Sequence, residues 1–181
     1  MNADSKNRIQ AISILKNCTI HDREQIIKAI FDVSHDPKHG DEALLLSLLD
    51  HLDCGIVAYA LYYLFEFYNQ KEQLLPLVQQ FAMGDERDNF EMPIQSQAIR
   101  LLSLQAKSDP KIVALLTMIA EDPSVNEVPS KNAWLSLAEI HGVEWTRRDT
   151  EEMIDYPDSE TSEAIRAKIR NAMRSMKDKN Q

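Results

Sequence analysis

The chain has 181 residues, 44% of them hydrophobic, with only four glycines and seven prolines; this is a length and composition for one helical domain, core about 5–176, and excludes a disordered chain. Its 29 acidic side chains against 20 basic ones give a formal charge of −9, which repels phosphate backbones and argues against nucleic-acid binding. The longest apolar run, 56–65, is far short of the roughly 18 residues a membrane span needs, so no membrane is expected.

In chain order, the spacing of Ile9, Ile12, Ile14 and Leu15 predicts a helix over 5–17. Thr19 and Asp22 mark a break. A second amphipathic helix follows over 23–34, with Ile26, Ile27, Ile30 and Phe31. Pro37 and Gly40 punctuate a loop at 35–41. Helices are expected over 41–52, 54–68 and 71–83, the last with a kink or a late start at Pro76. Residues 84–91, GDERDNFE, read as an exposed acidic loop.

A sixth helix starts near Pro93 and runs to Ala106. A seventh, over 108–122, has Ser108 or Asp109 as cap and Pro110 in its first turn. An eighth begins near Pro129 and ends at Gly142. A short helix over 146–156 and a last one over 159–176 complete about ten, with 177–181 as a fraying tail. No stretch alternates with period two, so the class is all-α.

One phrase recurs along the chain: YALYYL at 59–64, QAIRLL at 97–102, NAWLSL at 132–137 and, more weakly, EAIRAK at 163–168. The Ala positions are 38, 35 and 31 residues apart. On a helical wheel the alanine sits where a neighbouring helix approaches closely, and the Leu four positions later fills the same face. Each copy follows a second apolar helix, so the unit is a helical hairpin, which buries its apolar face only by stacking on neighbours. EMPIQSQAI at 91–99 and EVPSKNAWL at 127–135 enter their helices alike, through Glu, an apolar residue and Pro.

With Ala60/Leu61/Leu64, Ala98/Ile99/Leu102 and Ala133/Trp134/Leu137 in these places, the chain resembles HEAT-like or armadillo-type repeats over about residues 20–175. The resemblance implies a right-handed α-solenoid of stacked antiparallel hairpins with a curved binding surface, and it names no ligand. The Asp and following Arg or Lys common in HEAT turns are not regular here. An irregular helical bundle is the alternative.

Signatures of catalysis are missing. There is no G-x-S-x-G, H-E-x-x-H, C-x-x-C or phosphate-cradling glycine loop. Pro37 separates His35 from His39, so they do not form a helical metal pair; no metal, cofactor or enzymatic activity is expected. Cys18 and Cys54 read as free thiols in a reducing cytoplasm, and the N-terminus lacks the pattern of an export signal.

What remains is a surface. The side of the repeat helices away from the core carries Tyr59, Tyr62 and Glu66, then Gln97, Arg100 and Leu104, then Asn132, Leu135 and Glu139, with Lys28 and Phe31 as counterparts before them. Aromatic residues among charges suit a protein interface, although packing under neighbouring helices explains them too. Trp145 reads as a wedge between repeats.

Residues 85–163 hold 17 acidic and 7 basic side chains, whereas 164–181 is basic. A basic protein partner therefore fits Tyr59, Tyr62, Glu66, Asp85, Asp88, Glu91, Arg100, Glu127 and Glu139. The expected function is a non-enzymatic, acidic immunity protein that covers a basic, nuclease-type toxin domain. The other reading is an adaptor or assembly factor that docks a helix or peptide in its concave groove.

Overall fold

The structure, a computed structural model, describes residues 3–68, 70–106, 109–144, 146 and 159–179. Every regular element among them is helical. The nine α-helices are α1 (Ala3–Lys16), α2 (Arg23–Ser34), α3 (Asp41–Ser47), α4 (Cys54–Phe67), α5 (Lys71–Ala82), α6 (Pro93–Gln105), α7 (Pro110–Glu121), α8 (Glu127–Ile140) and α9 (Glu160–Lys179). Two 3-10 turns, Cys18–Ile20 and Leu48–Asp50, precede α2 and follow α3. Apart from residue 146, the helix expected over 146–156 and the wedge at Trp145 lie outside the described residues. None of the described helices is long and apolar enough to cross a membrane.

Local chemistry starts α2, α4 and α7 where the sequence predicts. Asp22 opens α2 with a capping box: its carboxylate accepts from Gln25 N, and the Gln25 side chain accepts from Asp22 N. Asp53 caps α4 by accepting from Ile56 N at 3.0 Å. Asp109 accepts from Lys111 N at the start of α7, with Pro110 in the first helical position. Gly142, at φ +62, ends α8 in the left-handed region, where a Cβ would be strained. Helix α5 begins at Lys71 and runs through Pro76, so the late start expected there does not occur. A proline in the second turn leaves one carbonyl without its helical donor.

The chain divides by internal packing into two compact units, Met1–Ala98 and Ile99–Gln181, with the boundary inside α6. In the first, α4 is the hub, packed by α2, α3 and α5, while α1 lies on α2 and α3. Ile56, Val57, Ala60, Leu61, Leu64 and Phe65 of α4 are buried. Each such large side chain contributes about 1.5–3 kcal/mol of transfer free energy. They meet Ile26, Ala29, Ile30 and Val33 on the inner face of α2.

Polar braces tie the elements of this unit together. Arg8 of α1 donates to Val33 O at 3.1 Å and Asp36 O at 2.8 Å, and to the carboxylate of buried Asp41 at the start of α3. In the second unit α7 and α8 form a closely packed hairpin, and α9 lies on α8. Ile165 and Ile169 are buried there, and Arg170 stacks 5.0 Å from the Trp134 ring while donating to Glu121 and Glu163.

The recurrent phrase maps onto the core in three of its four copies. Ala60, Ala98 and Ala133 are all buried, as are Leu64, Leu102 and Leu137. The fourth copy departs from this. Ala164 and Lys168 are exposed, and α9 buries Ser162, Ile165 and Ile169 instead. Lysine at the leucine position cannot enter a core unpaired, so the helix turns its isoleucines inward.

A candidate docking groove between two helices

Helix α2 presents Glu24, Ile27, Lys28 and Phe31 along one side, at the spacing that places residues on a single helical face. Across from them α4 presents Tyr59 and Tyr63, one turn apart. Together these six residues line an open hollow whose wall is predominantly carbon. Helices α2 and α4 pack directly on one another beside it.

Two of its large side chains face solvent: Phe31 is 53% exposed and Tyr59 46%. Phe31 stacks on the His35 ring with centroids 6.0 Å apart. Tyr63 belongs to an aromatic cluster, 5.1 Å from Tyr62 edge to face and 5.4 Å from Phe67. Burial, and then the neighbouring Tyr62 and Tyr59, raise the Tyr63 phenol above the usual tyrosine range. Lys28 donates to Asp32 at 2.7 Å.

The structure distributes the residues singled out in the sequence unevenly. Tyr59 lines the hollow, together with Lys28 and Phe31. Tyr62 is half-buried in the ring cluster beside it, and Glu66 forms an ion pair with Lys71 at 3.7 Å. Ile27 and Tyr63 line the hollow without having been singled out. Their signal was present: Ile27 is four residues before Phe31, and Tyr63 is four after Tyr59.

The 84–91 loop is more structured than its acidic composition suggests. Asp85 receives a fork from Arg87, Nε to Oδ1 at 2.7 Å and Nη2 to Oδ2 at 2.8 Å, which holds its carboxyl below the usual range. Arg87 also donates to Leu49 O at 2.6 Å and His51 O at 3.2 Å, closing the end of the α3 region. Asp88 accepts from Ile94 N and Gln95 N and so caps α6, while burial pushes its carboxyl up. Both carboxylates are engaged in holding the fold. Glu86 and Glu91 are exposed.

Arg100, Glu127 and Glu139 belong to the second unit, and all three are exposed. Glu127 lies 3.9 Å from Lys131 within α8. Glu139 borders a shallow hollow with Gly142, Val143 and Glu144. Among the described residues no group of three His, Cys, Asp or Glu side chains is placed to hold a metal ion. Cys18 is half-buried and Cys54 buried, each as a free thiol. Comparison with protein-family models, with curated proteins and with solved structures finds no match for this chain.

Proposed function

We propose that this chain is a non-enzymatic protein-binding module of HEAT-like character, an adaptor or assembly factor that docks an apolar helical or extended segment of a protein partner between α2 and α4. The observation that carries this reading is the hollow formed by Ile27, Phe31, Tyr59 and Tyr63, with Phe31 and Tyr59 half exposed. Aromatic side chains offer large contact area at small entropic cost, and concave apolar surface is where a partner's anchor residue gains most. Burial of Ala60, Ala98 and Ala133 supports reading the helix pairs as HEAT-like units.

The acidic excess supports a second reading, an immunity protein covering a basic toxin domain, with exposed Glu86 and Glu91 among its contacts. It carries less weight because Asp85 and Asp88, two of the acids it relied on, serve internal hydrogen bonds.

A displayed library of random peptides of about 12 residues, long enough for a short helix or strand, tests the docking reading. It is selected in parallel on the wild type and on a Phe31→Ala/Tyr59→Ala variant. Both positions are half exposed, so the variant is expected to keep its circular dichroism and lose less than about 1 kcal/mol of stability. Peptides that bind the wild type at least tenfold more tightly than the folded variant would support the groove. Equal retention by both, or no selected peptide at all, would overturn it.

A further inference from the structure

Of the two charged side chains that line the hollow, Lys28 is paired and Glu24 is not. Arg23 pairs with Asp53 at 3.5 Å, Lys28 with Asp32 at 2.7 Å, and Lys71 with Glu66 at 3.7 Å. Glu24 lines the hollow and is exposed, and among the described residues it has no ion-pair or hydrogen-bond partner. Tyr59 and Tyr63 line the opposite side, and an aromatic ring carries the negative side of its quadrupole on its face. A carboxylate and two tyrosine rings in a largely apolar wall favour a cation, and the one cationic group in the lining, Lys28, is held by Asp32.

Resting on the docking reading above, we infer that the segment captured here carries a lysine or arginine beside its apolar anchor, placed to meet Glu24. The spacing follows from α2. Glu24 and Phe31 are two turns apart, about 10 Å along the helix axis, with Ile27 between them. An anchor seated between Ile27 and Phe31 puts the cation about 7–8 Å away. That is about five residues along a helical partner, or about two along an extended one.

Glu24 has a second use within α2, since an acid in the first turn of a helix is favoured by the macrodipole. A purely dipolar role changes the stability of α2 and leaves partner choice untouched, so the two uses are separable.

The test takes a groove-dependent peptide from the selection and its counterpart with the basic residue replaced by Glu. Affinities are measured for wild type, Glu24→Gln and Glu24→Lys, with thermal midpoints in parallel. The expected pattern has three parts. Selected peptides share a basic residue at fixed distance from an apolar one. Glu24→Gln weakens the basic peptide about three- to fivefold, as for an exposed pair. Glu24→Lys weakens it about tenfold and improves the Glu-bearing counterpart, with binding falling as salt rises. Peptides that use the groove but share no basic residue, or are indifferent to Glu24→Gln while the thermal midpoint shifts, would overturn this inference and leave the docking reading intact. Failure to select any peptide through Phe31 and Tyr59 would overturn both.

Discussion

Arg8 and His141 show opposite ways of placing a polar side chain inside this protein. Arg8, 13% exposed at its side chain, joins the Asp41 carboxylate and two carbonyls near the end of α2. Arg8→Ala leaves Asp41 buried without its counter-charge, so a loss of about 3 kcal/mol is expected in urea unfolding. A loss below about 1 kcal/mol would mean that Lys38 N alone satisfies Asp41. His141 has neither ring nitrogen hydrogen-bonded among the described residues, and burial lowers its imidazole below the usual value. As pH falls through about 6.5 the unfolded chain gains a proton that the native imidazole resists, so stability drops. Cooling of the thermal midpoint between about pH 7.5 and pH 5.5 is expected, and His141→Gln should flatten it in that window. An unchanged slope in the variant would assign the effect elsewhere.

Helices rather than residues carry the recurrent phrase, and its four copies make a controlled comparison. Ala133 is fully buried in α8, whereas Ala164 on α9 is exposed. Ala133→Glu buries a charge in the α7–α8 contact, so loss of the cooperative transition is expected. Ala164→Glu should change the thermal midpoint by no more than a surface substitution does, within about 0.5 kcal/mol. Comparable damage from both would mean that α9 is packed by Ala164 after all. The first three copies were legible because Ala and Leu four apart mark one face wherever an apolar helix precedes. The fourth misled because the motif matched at alanine while Lys168 stood where leucine was needed.

For the whole molecule the governing quantity is the charge of −9. Self-repulsion opposes the compact state, and salt screens it. Raising NaCl from about 20 to about 200 mM should therefore raise the thermal midpoint by a few degrees. A fall would show that pairs such as Arg8–Asp41 and Arg87–Asp85 outweigh the net repulsion.

Composition, caps and period already determined the helical class, the helix starts at Arg23, Cys54 and Pro110, and the buried alanines, because each depends on contacts within one or two turns of chain. The same was true of Tyr59, Lys28 and Phe31 as outward residues. Tertiary structure alone decided which of them meet. Tyr63 joins Tyr59 because α4 packs on α2, whereas Tyr62, one residue away, does not line the hollow. It also decided that Asp85 holds the fold, since Arg87, which forks onto it, donates to Leu49 O and His51 O across 38 and 36 residues of chain. Charge can be counted along a sequence, but the partner of each charge is set by which distant backbone it is folded against.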